Sequence, residues 1–161
     1  MRYFKISEFD SGLPNEEGTG INMSPVFLDF IDELRSRCNF PFRVTSGFRT
    51  EAYQQSLTDR GYKTAKKGQS PHLKGLAADI AISDSVKRAL FVGHALQLVH
   101  ELGLPFRVGI AGKEKGNFCH IDIDEERTNP RLWIYWQQLI ERAEILSYNL
   151  NFTKWKIGYK Q

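Results

Sequence analysis

Apolar and polar positions follow two different periods along this chain. Three segments carry apolar residues at helical intervals: "SPVFLDFIDELRSRC" from Ser24, "TEAYQQSLTDRG" from Thr50, and the stretch from about Asp84 to Leu102. Each segment opens with a residue type that caps helices, and the last is followed by Gly103, a common helix stop. The pattern therefore predicts three helices.

Between the helices, apolar and polar residues alternate with the period of a strand. "FRVTS" at 42–46 predicts a short strand, and the run at 76–82 predicts a second. "FRVGIA" and "FCHIDID" flank the turn formers of "GKEKGN" and predict a hairpin. A further strand or turn is expected around Trp133, followed by a helix and a tail over 136–161. Helices beside a small, mostly antiparallel sheet give an α+β fold.

Length and composition fit one soluble domain over residues 1–161. A chain of this length buries about two thirds of its unfolded surface, and no apolar run approaches the roughly 20 residues of a membrane span. The formal charge of +3 includes no compact basic run beyond "KTAKKG", which is typical of a solvated loop, so no nucleic-acid or membrane partner is expected. The start "MRYFKISEFDS" lacks the apolar core of a signal peptide. Cys38 and Cys119 are expected to be reduced core residues.

Asp79 is a carboxylate in the middle of an apolar strand. In "SPHLKGLAADIAI" the alternate positions from Leu76 to Ile82 face the core, so that Asp79 shares its own face with two alanines. A carboxylate buried there needs a partner, which could be a metal ion, an arginine or a set of backbone donors.

The second strand of the hairpin supplies candidate partners. In "FCHIDID" the side chains of His120, Asp122 and Asp124 share one face, opposite the apolar residues. A set made of His72, Asp79 and His120 would have the ligand types that bind zinc. Since seven residues span about 10 Å in a helix and about 23 Å in a strand, His72 and Asp79 can share a metal only if the chain folds back near "LKG". Gly75 could allow that bend.

Simpler interpretations of the same residues stay open. "HLKGLAAD" could hold an ordinary hydrogen-bonded His–Asp pair, and "HIDID" could be a solvent-exposed strand face. His94 and His100 lie six residues apart on the long helix, a spacing that favours packing or surface roles. The aromatic-rich "LWIYWQQ", with Trp133, could line a substrate groove or pack in the core.

Three motifs together carry a family resemblance. "SGFRT" at 46–50, "SPHLKGLAAD" at 70–79 and "FCHIDID" at 118–124 resemble, in order and spacing, the zinc D-alanyl-D-alanine peptidases. That group, with the Hedgehog/DD-peptidase fold, includes vancomycin-resistance dipeptidases and peptidoglycan-cleaving phage endolysins. The resemblance spans about Phe4 to Tyr135 and is greatest to the short phage-encoded members, which also begin with an "EF" segment.

The resemblance implies a role for five residues. His72, Asp79 and His120 match the three zinc ligands, with a fourth position left for the attacking water. Arg49 matches an arginine that stabilises the oxyanion of the scissile carbonyl, although a structural salt bridge is the alternative. Ser70 matches a serine near the terminal carboxylate of the substrate, and helix capping or turn stabilisation is its alternative role.

One position departs from the family pattern. Many members carry a glutamate or aspartate three residues before the last zinc histidine, where it acts as general base, and this chain has Asn117. Asp122 is the substitute candidate for the base, and its competing role is to orient His120 through the other ring nitrogen. Glu114, in the turn, is a weaker candidate.

These observations lead to three functional hypotheses. The first is a monomeric, zinc-dependent peptidase that cuts amide bonds of peptidoglycan stem peptides or cross-bridges, as a D-Ala-D-Ala carboxypeptidase or an endopeptidase of endolysin type. Made without a signal peptide, it would reach the wall by phage-type release or delivery. The second is a catalytically inactive, zinc-stabilised protein that binds the cell wall or belongs to a virion, which Asn117 would explain. The third is an α+β binding domain without metal.

Overall fold

The computed structural model describes residues 1–62, 64–112 and 116–134. Three α-helices and five strands form the described fold, together with 3₁₀ turns at Ile6–Phe9, Thr19–Asn22 and Pro71–Lys74. In chain order the elements are α1 (Pro25–Cys38), β1 (Arg43–Ser46), α2 (Glu51–Asp59), β2 (Ala77–Ala81), α3 (Ser85–Leu102), β3 (Arg107–Ile110), β4 (Phe118–Asp122) and β5 (Arg131–Ile134).

The strands form one mixed sheet in the order β1-β2-β4-β3-β5. The first three pairings are antiparallel, including the predicted β3–β4 hairpin, and β3 pairs with β5 in parallel. One hydrophobic core joins the apolar face of this sheet to α1 and α3. The structure thereby confirms the expected α+β class, with a mixed sheet because of β5.

The helix boundaries follow the sequence signals. The Thr50 hydroxyl accepts a hydrogen bond from the Tyr53 amide, and the Asp84 carboxylate accepts one from Lys87. Gly103 ends α3 in the left-handed conformation at φ 63°. Ser24 does occupy the N-cap of α1, but its side chain makes no capping bond.

The two faces of the central strands differ in polarity, as the alternation predicted. On β2 and β4 the side chains that enter the core are Ala78, Ile80, Cys119 and Ile121. The opposite surface of the sheet, here called the polar face, carries a row of directly paired residues: Asp79 on β2, His120 on β4, Gly109 on β3 and Trp133 on β5. Cys38 and Cys119 are both buried free thiols, as expected.

A tight turn brings His72 back toward Asp79. The 3₁₀ turn Pro71–Lys74 ends at Gly75, whose φ of 67° lies in the left-handed region. A Cβ at Gly75 would lie 2.3 Å from the backbone oxygen of Asn22, so that packing as well as conformation requires glycine. The predicted reversal near "LKG" is confirmed.

Some expectations concern residues outside the described ranges. The predicted C-terminal helix and tail at 136–161 lie there, as does Glu114. Among the described residues, no helix combines the length and the apolar character that crossing a membrane requires.

The Gly75 turn gives a stability prediction. We expect Gly75→Ala to lower the free energy of unfolding by about 3 kcal/mol, because the added methyl group meets backbone that cannot move aside. Gly61→Ala is the matched control, since Gly61 has a similar φ of 83° and no described atom within 4 Å of an added Cβ. It should cost only about 1 kcal/mol of conformational strain. Urea unfolding measures both, and equal losses would contradict the packing argument.

Candidate metal centre

His72, Asp79 and His120 meet on the polar face. His120 Nδ1 lies 2.9 Å from Asp79 Oδ1 and 3.3 Å from His72 Nε2, and His72 Nε2 lies 3.6 Å from the same Asp79 oxygen. One candidate ligand atom from each residue falls within 4.8 Å of the others. Two imidazole nitrogens and a carboxylate oxygen are donors that suit zinc with one open position. The three residues predicted from the sequence therefore form a cluster able to hold a metal ion.

The orientation of His72 is set by a backbone carbonyl. Its Nδ1 lies 2.7 Å from the Gly47 oxygen, which can only accept, so Nδ1 carries the proton. Its other nitrogen, Nε2, faces Asp79 and His120. His72 is 2% exposed, which excludes bulk water from competing for that nitrogen.

The orientation of His120 is set by a buried ion pair. His120 Nε2 lies 2.9 Å from Asp122 Oδ2, and the Arg107 Nε donates to the same oxygen at 3.2 Å. Asp122 is fully buried and lies on the side of the ring opposite Nδ1. Of the two roles considered for Asp122, this geometry favours orienting His120 over accepting a proton from water.

Charges within the cluster shift its pKa values in opposite directions. Burial opposes ionisation of Asp79, but the neighbouring imidazoles of His72 and His120 outweigh it and hold the pKa of Asp79 well below its usual value. Burial likewise opposes protonation of His120, but its hydrogen bonds to Asp122 and Asp79 raise the pKa to about 9. Burial lowers the pKa of His72. These shifts favour an ionised Asp79 beside a protonated His120.

Arg49 provides the second partner of Asp79. Its Nη2 donates to Asp79 Oδ2 at 2.5 Å, and its Nε donates to the Ser46 hydroxyl at 2.9 Å. The two carboxylate oxygens of Asp79 are thus divided, one facing the histidines and the other facing the arginine. The structure contains the salt bridge that was the alternative role of Arg49, and its action on an oxyanion stays a prediction.

Ser70 and Asn117 differ in their side-chain contacts: Ser70 is buried without capping the turn, whereas Asn117 makes a side-chain hydrogen bond. Ser70 is 3% exposed at the start of the 3₁₀ turn, yet its side chain makes no capping bond, so a contact with substrate stays a prediction. The Asn117 side chain accepts a hydrogen bond from Arg88 Nη1 at 3.3 Å, and its φ of 52° fits the hairpin turn. Asn117 therefore holds the end of the hairpin.

Two neighbours of the cluster were not identified from the sequence. Arg107 pairs with Asp122, and its guanidinium carbon lies 5.4 Å from the centre of the Trp133 ring. Trp133, considered earlier only for a groove or the core, packs against His120 with ring centroids 5.6 Å apart. Both contacts depend on the strand register, which no local pattern reveals.

A polar cavity adjoins the helix that follows Arg49. It has a volume of about 290 Å³ and lies between α2 and residues 64–67. Gln54 lines it and is 4% exposed, and neither end of its amide has a hydrogen-bond partner among the described residues. Leaving a buried amide unpaired is costly, so a polar group in the cavity could complete its hydrogen bonds. Helical periodicity alone gave no reason to expect a glutamine facing inward.

Comparison with known proteins is informative at the level of the fold. No protein-family model matches the chain, and neither does any curated protein sequence. The crystal structure of the L-Ala D-Glu endopeptidase ChiX of Serratia marcescens has a similar fold, with a TM-score of 0.54. The match covers 66% of this chain and 84% of that chain at 19% sequence identity. The chain therefore shares the fold of a known endopeptidase.

The contact between Asp122 and His120 gives a test of the metal centre. We expect Asp122→Asn to weaken zinc binding by about 10- to 100-fold, because the amide no longer fixes His120 through a charged acceptor. Competition with a chromophoric chelator measures the affinity. Asp124→Asn is the matched control, because Asp124 is equally buried but pairs with Lys74. Equal zinc affinity in both variants would refute the orienting role.

Proposed function

We propose that this protein is a zinc-dependent peptidase that hydrolyses amide bonds in peptidoglycan stem peptides or cross-bridges. The observation that carries the proposal is the convergence of His72, Asp79 and His120, with the outward nitrogen of each histidine already engaged. The fold shared with an L-Ala D-Glu endopeptidase supports it. A bond between L-Ala and D-Glu is a stem-peptide bond, so the similarity favours the same class of substrate.

His72, Asp79 and His120 would hold the zinc ion. When bound, zinc lowers the pKa of a water molecule and polarises the scissile carbonyl. Both histidines are buried, and Asp122 keeps His120 in the orientation that presents Nδ1 to Asp79. We assign Asp122 this positioning role.

Arg49 would stabilise the negative charge that develops on the carbonyl oxygen. Its guanidinium is 14% exposed and already lies against Asp79, one of the three candidate ligands. The Ser46 hydroxyl holds its Nε, so the cation is fixed before substrate arrives. A fixed cation in a largely dry site stabilises such a charge more than a mobile one.

The cavity at Gln54 would bind the peptide on one side of the scissile bond. Its two walls lie close to site residues along the chain, since α2 starts two residues after Arg49 and residues 64–67 end three residues before Ser70. The amide of Gln54, which has no partner among the described residues, offers an NH₂ donor and a carbonyl acceptor, which can pair with a peptide group. Ser70, whose hydroxyl is not used in capping, would contact the substrate nearby.

The second candidate function is a zinc-stabilised protein that binds the cell wall without cutting it. The observation that favours it is Asn117, which stands where the family carries an acidic residue and whose side chain is engaged with Arg88. Turnover separates the two functions, because both predict zinc binding and only the peptidase releases peptides.

Digestion of purified peptidoglycan tests the proposal. The zinc-loaded protein should release peptides whose masses identify the bond that is cut, either D-Ala–D-Ala or L-Ala–D-Glu. His120→Ala should abolish release, while His94→Ala, on α3, should leave it unchanged. Zinc binding without release of any peptide would contradict the peptidase and favour the second candidate.

Arg49 gives a quantitative prediction. We expect Arg49→Gln to lower kcat by about 10²- to 10³-fold, because the charge on the carbonyl oxygen loses its fixed cation. Arg43→Gln, which removes an exposed arginine from β1, is the control and should have no effect. Steady-state kinetics on a synthetic stem peptide would measure both variants. An unchanged kcat in Arg49→Gln would show that the arginine serves only the salt bridge.

Gln54 should show opposite effects on stability and activity. Gln54→Leu removes an unpaired buried amide, so we expect the free energy of unfolding to rise by about 1 kcal/mol. The same change should lower kcat/KM, because the peptide group loses its partner. Gln97→Leu, at an exposed position of α3, should change neither quantity. If Gln54→Leu left kcat/KM intact, the cavity would have no part in substrate binding.

A further inference from the structure

The indole of Trp133 crosses a neighbouring strand to reach the metal cluster. Trp133 on β5 pairs with Gly109 on β3, and Gly109 in turn pairs with His120 on β4. Trp133 and His120 are therefore two strands apart, yet their ring centroids are separated by only 5.6 Å. The indole must lie over the backbone of β3 to make this contact.

Gly109 is what makes that path possible. A Cβ at position 109 would lie 2.5 to 2.6 Å from three atoms of the indole, which is far inside van der Waals contact. Gly109 is not among the residues with positive φ, so its backbone would accept alanine. Space for the indole, rather than backbone conformation, therefore requires glycine at this position.

The same indole covers both ends of a buried polar chain. His120, Asp122 and Arg107 are joined by hydrogen bonds and are each less than 10% exposed. Trp133 packs on His120 at one end, and the Arg107 guanidinium lies 5.4 Å from the ring centre at the other. A second guanidinium, from Arg131, lies 5.8 Å from the same ring. Cation–π contacts of this kind favour a fixed position for the indole.

We propose that Trp133 is a positioning residue of the metal centre: it holds the His120 ring with Nδ1 toward the metal and shields the His120–Asp122 hydrogen bond from water. A hydrogen bond that is kept dry is electrostatically stronger, and partners of metal-binding histidines commonly affect affinity. Gly109 is the second part of this arrangement, because its missing side chain lets the indole approach. The inference rests on the proposed metal centre and adds two residues to it.

Zinc affinity of the full chain, measured by chelator competition, tests the inference without reference to turnover. Trp133→Ala should weaken zinc binding by about 10-fold, and Trp133→Phe should recover most of the loss because a ring face remains. Leu132→Ala is the control, because Leu132 is the preceding residue on β5 and is 47% exposed. Unfolding of the metal-free variants, followed in urea, separates a loss of affinity from a loss of stability.

Gly109→Ala supplies a second, independent variant. It displaces the indole without removing it and should also weaken zinc binding by about 10-fold. In a Trp133→Ala background the added methyl group has nothing to displace, so Gly109→Ala should then have no further effect.

Fluorescence locates the indole relative to the metal. In a chain carrying Trp136→Phe and Trp155→Phe, the remaining emission comes from Trp133, and Co²⁺ bound at the cluster should quench it almost completely. Gly109→Ala should reduce that quenching.

The outcomes are distinguishable. The positioning role would be overturned if Trp133→Ala left the zinc affinity unchanged. It would also be overturned if the effects of Trp133→Ala and Gly109→Ala on zinc affinity multiplied in the double variant, or if bound Co²⁺ quenched Trp133 only weakly. If the wild-type chain bound no zinc, the proposed function itself would fail.

Discussion

The carboxylate of Asp79 is the charge on which the arrangement of the polar face depends. It lies in the middle of β2 with its side chain only 16% exposed; its neighbours on the same face of the strand are alanines, and the other face of the strand is core. Burial opposes its ionisation, and its pKa stays low because the two imidazoles outweigh that effect. His72, His120 and Arg49 are brought to it by three different segments: a 3₁₀ turn, a paired strand and the loop after β1. The side chains that surround this charge are therefore the two histidines of the cluster and Arg49.

The register of the sheet and the turn before β2 place the partners of Asp79 so that they form a site. Each histidine uses one nitrogen toward Asp79 and the other toward an acceptor that fixes it, the Gly47 carbonyl for His72 and the Asp122 carboxylate for His120. Behind His120, the Arg107 side chain satisfies Asp122 and also donates to the Thr128 carbonyl at 2.7 Å. The result is a set of inward donor atoms held by outer partners, an arrangement that suits a resident metal ion better than an ordinary His–Asp pair.

The sequence predicted those parts of the site that depend on local periodicity. Alternation along "FCHIDID" placed His120 and Asp122 on the polar face, and the impossible span between His72 and Asp79 required a reversal near Gly75. The Arg107–Asp122 pair could not be derived, because it depends on the register of β3 against β4. The contact between Trp133 and His120 could not be predicted either, because it needs both the parallel pairing of β5 with β3 and the absence of a side chain at Gly109. Gln54 is buried, although glutamine is usually exposed. Departures of this kind are expected at functional sites, where a ligand can complete the hydrogen bonds of the buried group.

The metal-ligand role of His72, Asp79 and His120 is central. It requires that Asp79 can bind a metal ion through one carboxylate oxygen while the other pairs with Arg49. The most direct measurement is a crystal structure of the zinc-loaded protein with anomalous scattering recorded at the zinc edge. The account predicts one peak bound by His72 Nε2, His120 Nδ1 and a carboxylate oxygen of Asp79, with Asp122 still on His120 Nε2. A zinc ion bound elsewhere, or a cluster that remains closed on its own hydrogen bonds in excess zinc, would contradict it.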